Sequence, residues 1–126
     1  MKSIALLALI LPLVAGSASA AGLLDGKTYS GVVGARGKAA DSKDELVFAN
    51  GTLHSTACDA YGFEPGAYTA VQNGDVVRFT ATTHSKSQGS IEWSGTVRNG
   101  QIEGTFTWKK WGGLVRRNYW IKASAR

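Results

Sequence analysis

His54, Cys58 and His84 are the side chains of this sequence best suited to metal binding or nucleophilic attack, and their spacing decides what they can do. His54 and Cys58 share one face of an extended segment. Four residues along a strand span about 13 Å, too far for two ligands of one tetrahedral ion. His84 lies in a separate alternating run. Both histidines have the parity opposite to the apolar residues Leu53 and Phe79, so both face outward. No metal site is expected. Cys58 and a histidine share only composition with a thiol enzyme, and there is no Gly-x-Ser-x-Gly elbow. Gly34-Ala35-Arg36-Gly37-Lys38 lacks the phosphate-loop spacing, because Val32 stands where the first glycine is required. The chain therefore reads as non-enzymatic and without a cofactor, with thiol chemistry at Cys58 as the alternative.

Binding chemistry is better represented. The stretch WKKWGGLVRRNYW, Trp108 to Trp120, holds three of the four tryptophans, four cations and no acid. Large aromatics among cations suit an anionic glycan or a membrane interface. Lys109, Lys110, Arg116, Arg117, Trp120 and Lys122 form a candidate surface for such a partner, without a specific nucleic-acid site. The segment CDAYGFEPG carries Asp59, Gly62, Pro65 and Gly66, which turn the chain, and Tyr61 and Phe63, which are too apolar for a solvated loop. These rings either plug one end of a barrel or line its mouth. With the Trp111 loop and the inward-facing Trp93 and Trp108, they make a candidate site for a small apolar or aromatic ligand.

The elements that must position these residues follow an N-terminal segment of a different kind. Lys2, the apolar run Ile4 to Val14 and the small residues Ala18-Ser19-Ala20 have the layout of a secretory signal peptide, with cleavage expected after Ala20. Residues 21–126 are one domain in length. No later apolar run is long enough to span a bilayer. The expected address is a periplasm or the exterior. A single cysteine cannot form an internal disulfide, so the domain must be held by packing. The oligomeric state stays open, a Cys58 bridge included. The formal net charge is +5 at pH 7, and beyond Gly104 cations occur without acids, an asymmetry that favours anionic partners.

After the signal, apolar and polar residues alternate and helical periodicity is absent. Asn50-Gly51, Asn73-Gly74 and Asn99-Gly100 each lie between alternating runs, the strongest short hairpin signal. A turn at Asn99-Gly100 pairs Arg98 with Gln101, Val97 with Ile102, Trp93 with Phe106 and Ile91 with Trp108. One at Asn50-Gly51 pairs Phe48 with Leu53. One at Asn73-Gly74 places Ala70 opposite Val77 and Tyr68 opposite Phe79. Eight antiparallel strands result, in an all-β up-and-down meander closing into a small barrel, with a two-sheet β-sandwich as the alternative. Tyr29, Phe48, Tyr68, Phe79, Trp93, Phe106, Trp108 and Tyr119 face inward and either fill the lumen or leave a shallow pocket at one mouth.

STACDAYGFEPGAY followed by GSIEWSGTVRNGQIEGTFTW resembles small exported bacterial proteins with calycin-like barrels, the lipocalin and avidin type. The resemblance covers most of residues 21–126. It implies the barrel and the export but no catalytic residue. The lipocalin and avidin signature motifs are absent, so the ligands of those proteins do not transfer. The expected function is an exported binding protein for a small apolar or aromatic molecule at one barrel end. The alternative is an interaction module that holds an anionic envelope component through the basic C-terminal hairpin.

Overall fold

The alternation becomes eight strands in the computed structural model, which describes residues 18–19 and 22–126. They are β1 (Lys27–Ala35), β2 (Ser42–Ala49), β3 (Thr52–Ser55), β4 (Gly66–Asn73), β5 (Val76–Ser85), β6 (Gly89–Arg98), β7 (Gln101–Lys110) and β8 (Val115–Ala125). Each pairs antiparallel with the next, and β8 returns to β1 with Ile121 opposite Val33. One sheet thus closes on itself, and the sandwich alternative falls away. A 3-10 helix, Thr56–Tyr61, and a two-residue strand, Phe63–Glu64, lie between β3 and β4, the latter pairing with β5. Ala18–Ser19 pairs with Gln72 and Val71 of β4. The rest of the expected export signal lies outside the described residues.

Two turns have the expected form. Asn50 and Gly51 take φ of 53° and 73°, and Asn99 and Gly100 take 52° and 71°, the pattern of type I′. The β6–β7 register matches residue by residue, from Arg98 opposite Gln101 to Ile91 opposite Trp108. The β4–β5 turn is displaced by one residue. Its central pair is Gly74-Asp75, with Asn73 opposite Val76, Ala70 opposite Phe79 and Tyr68 opposite Ala81. Positive φ is needed only at the first central position of a type II′ turn, and Gly74 supplies it at 66°. Moving the turn by one residue moves the pairing by two, so every side chain keeps its face.

Two aromatic layers fill the lumen. Phe48, fully buried, meets Tyr29, Tyr68 and Phe79 edge-to-face at centroid distances of 5.9, 5.0 and 5.3 Å. Trp93, Phe106 and Tyr119 stack in series at 4.4 and 4.9 Å. Inward glycines leave no void beside them. A Cβ on Gly31 would strike the backbone of Lys122 and Ala123 in β8, and one on Gly95 would lie 2.9 Å from the Phe79 ring. Outward positions such as Thr80, Ser94, Glu103 and Thr105 are polar and exposed, the reverse of a barrel that faces lipid. Among the described residues no helix is long and apolar enough to cross a membrane.

The turn before β1 seals one end. Leu24 is buried beneath the first aromatic layer, and its backbone N–H donates to the Tyr68 hydroxyl at 2.8 Å. That hydroxyl donates to Asp25 at 2.9 Å, and Asp25 also accepts from the Gly51 N–H at 3.0 Å. Burial first, then the bond to Asp25, push the Tyr68 hydroxyl up to about 12. A raised value favours the neutral form in the fold. Its contribution is therefore full below about pH 10 and is lost as pH rises towards the folded value. Tyr68→Phe should lower stability by about 1–2 kcal/mol at neutral pH. It should also flatten the loss of stability between about pH 10 and 12. Urea unfolding across that range checks both effects.

Candidate functional site

The opposite end is not sealed in this way. The chain reverses there at residues 36–41, 86–88 and 111–114, and the 3-10 helix lies across one side. These segments surround a cleft of about 360 Å³. Its floor is Phe106, Ile91, Val33 and Phe63, all buried. Trp108, Tyr119 and Cys58 form half-buried walls, and Tyr61, Lys43 and Gln88 stand at the rim. A shallow hollow of about 430 Å³ also lies at the other end, over Leu24 and among Lys27, Asp75, Arg98 and Arg126, which are charged. A larger one, about 800 Å³, lies on the outer wall of the barrel over Thr69, Thr80, Ser94 and Thr105. It is the weaker candidate because its polar hydroxyls are already solvated, whereas the mouth presents aromatic faces.

The floor is fixed from below. Trp93 donates its indole N–H to the buried Thr83 hydroxyl at 3.1 Å and stacks on Phe106, which stacks on Tyr119. The stack therefore begins in the core and emerges as the cleft wall. Trp108 donates its indole N–H to the Gln88 carbonyl at 2.6 Å, which holds its ring against the β5–β6 turn. Of the aromatics expected at a ligand site, Tyr61, Phe63 and Trp108 line this cleft. Trp93 lies one ring beneath it, under Phe106. Trp111 does not line it: the residue is 68% exposed on the β7–β8 turn. CDAYGFEPG thus forms a side of the mouth, with Phe63 turned in and Tyr61 turned out, and the seal belongs to Leu24 at the other end.

One buried acid reaches the cleft. Asp44, on the inward parity of β2, accepts from the Glu45 N–H at 2.7 Å, the Ala57 N–H at 3.0 Å and the Ser55 hydroxyl at 2.5 Å. It thereby ties the start of the 3-10 helix to the barrel wall. Burial raises its carboxyl above the usual range and outweighs those hydrogen bonds and the nearby His54. Burial likewise pushes the Cys58 thiol up, aided by the charges of Asp44 and Asp59 and opposed by a hydrogen bond from Ser55. A nucleophilic thiol requires the opposite shift. His54 is engaged elsewhere, Nε2 lying 2.6 Å from Asp59 Oδ1 across the helix. No group of three or more potential metal ligands occurs among the described residues. His84 faces away from the cleft, opposite Ser90 in the β5–β6 ladder.

The basic surface divides. Lys109 bonds Glu92 at 2.9 Å and holds that carboxyl below its ordinary value. Lys110 lies 4.8 Å from the Trp111 ring centroid and bonds Gln88 Oε1 at 3.2 Å. Arg116 and Arg117 are exposed. Trp120 is half-buried on the outer wall, its ring beside Gly34 and its N–H bonded to the Lys38 carbonyl at 2.9 Å, with Lys122 over the ring. The loop after β1 thus occupies Trp120, which leaves Trp111 as the aromatic offered to solvent. Trp111 takes φ of 54°, a left-handed conformation that costs a bulky residue about 1–3 kcal/mol.

Reading the inward parity of β2 one step past Leu46 reaches Asp44, the signal that an acid enters the mouth. Gln88 has no such signal, since its role comes from a turn carbonyl. Comparison of the chain with family models, curated proteins and solved structures finds no match in any of the three. The class defined by the fold is a closed, eight-stranded, antiparallel up-and-down barrel.

Because the Asp44 value is raised, its contribution to stability is present below about pH 4 and is lost as pH rises through the folded value. Asp44→Asn keeps an acceptor for the two N–H groups and removes the charge. It should be more stable than the wild type at pH 7, with the difference shrinking towards pH 3. Asp44→Ala leaves both donors unpaired and should cost about 2–3 kcal/mol. Urea unfolding at both pH values measures this.

Proposed function

We propose that this protein is an exported, calycin-like binding protein that takes a small apolar or aromatic molecule into the cleft at the open end of its barrel. One observation carries the reading: a hollow of about 360 Å³, walled by Trp108 and Tyr119 and floored by Phe106, at the end that Leu24 does not seal. Aromatic walls with a few polar groups at the edge suit a ligand that leaves water for apolar contact and is oriented by one or two hydrogen bonds. The polar groups at the edge are the Tyr119 hydroxyl, the Gln88 side chain and Lys43. The export half of the proposal rests on residues 1–20, whose charged start, apolar run and small-residue site suit secretion to a periplasm or beyond.

The function is binding rather than turnover. The cleft's one thiol is shifted away from the reactive form, and its one buried acid is spent on holding the 3-10 helix. Native mass spectrometry of the protein purified from its own envelope, followed by denaturation, is the test. A released small molecule of defined mass is expected. Trp108→Ala should reduce its occupancy roughly tenfold, the loss of one large aromatic contact. A bare polypeptide mass in every preparation would contradict the reading.

A further inference from the structure

The cleft leaves one conspicuous feature of its own end unused. The β7–β8 turn, residues 111–114, carries Trp111 at 68% exposure and Leu114 at 83%. Tyr61, at 61%, stands on the same end of the barrel. Trp111 is held in the left-handed region and is followed by Gly112 and Gly113, also at positive φ. Among the described residues, the other non-glycine ones in that region are Asn50 and Asn99, the type best suited to it. A tryptophan there is strained and mostly solvated, so packing within the barrel does not account for it.

Charge surrounds the turn. Lys109 and Lys110 precede it, Arg116 and Arg117 follow it, and Lys109 lies opposite Arg116 in the ladder. Among the described residues one carboxylate, Glu92, pairs with this group, through Lys109, and Arg116 and Arg117 have no ion pair. We propose that the Trp111–Leu114 turn docks the open end of the barrel on an anionic lipid bilayer. The indole would lie at the headgroup level, Leu114 would enter the acyl boundary, and Lys110, Arg116 and Arg117, which no carboxylate pairs among the described residues, would meet lipid phosphates. Leu114 decides between a bilayer and a glycan. An aliphatic side chain has no ring face on which a sugar stacks, whereas apolar tips ringed by cations match an anionic interface. Docking in this sense turns the mouth of the cleft towards the lipid. The inference goes beyond ligand binding, and an empty cleft would leave it standing.

The test is co-sedimentation of the full chain, after removal of its export signal, with phosphatidylglycerol–phosphatidylcholine vesicles and with vesicles of phosphatidylcholine alone. Binding to the anionic vesicles is expected, falling steeply as salt rises to about 0.5 M. Trp111→Asn with Leu114→Ser should lower partitioning at least about tenfold without lowering the thermal unfolding temperature, because asparagine relieves the left-handed strain. Arg116→Gln with Arg117→Gln should weaken binding and flatten its salt dependence. Val32→Ser, an exposed apolar residue on β1, should change nothing. The proposal is overturned if the wild type ignores anionic vesicles, if it binds neutral ones equally well, or if the turn variant binds like the wild type. Retention on a sulfated-glycan resin without vesicle binding would also overturn it and assign the surface to a glycan.

Discussion

Phe48 sits fully buried at the meeting point of three edge-to-face contacts, and Tyr29, Tyr68 and Phe79 take their places around it. No disulfide braces this ring of strands, since the chain has one cysteine. An eight-stranded lumen is just wide enough for side chains or one small ligand, so its contents decide whether it holds its shape. Tyr68, one of the three partners of Phe48, also supplies the hydroxyl that fixes Leu24 and Asp25 across the sealed end. Phe79, another, occupies the space that Gly95 leaves open. The seal and the filling of the space beside Gly95 thus share one aromatic cluster.

The two ends differ because their polar groups are committed differently. At the sealed end, Asp25 collects donors from Tyr68 and Gly51 and pulls the preceding turn over the core. At the open end, Asp44 performs the corresponding task to one side, anchoring the 3-10 helix against β2 and leaving the centre uncovered. The second aromatic stack therefore terminates at Tyr119 in a wall exposed to whatever enters, rather than under a plug. That asymmetry gives the cleft rigid faces, since each ring is held from behind by another ring or by an indole hydrogen bond. The basic turn next to it is built on different terms, with strain and exposure in place of packing.

Much of the barrel was legible in the residues. Alternation separated Trp93, Phe106 and Ile121 from Ser94, Thr105 and Lys122, and asparagine before glycine located two turns to the residue. The third was misplaced by one position because Asn-Gly and Gly-Asp both satisfy hairpin chemistry, and long-range pairing rather than the turn selects between them. Leu24 was invisible as a plug, since a lone pair of leucines next to the expected export signal carries no period. The aromatic site was legible in part. Parity put Trp93 and Trp108 inside, but depth along a strand decides which ring lines a cleft and which lies beneath it. The direction of Trp111 was beyond reach, because three successive left-handed residues aim it, and a side chain in a loop has no parity.

Ligand entry at the open end alone is tested most directly by nuclear magnetic resonance during titration with indole, a small apolar aromatic probe. Saturable shifts should appear at the Trp108 indole N–H and at the Asp44, Ala57 and Tyr119 amides. Leu24, Gly26 and Val97, at the sealed end, should not move. Shifts confined to the sealed end, or spread evenly over the outer wall of the barrel, would contradict the assignment of the site.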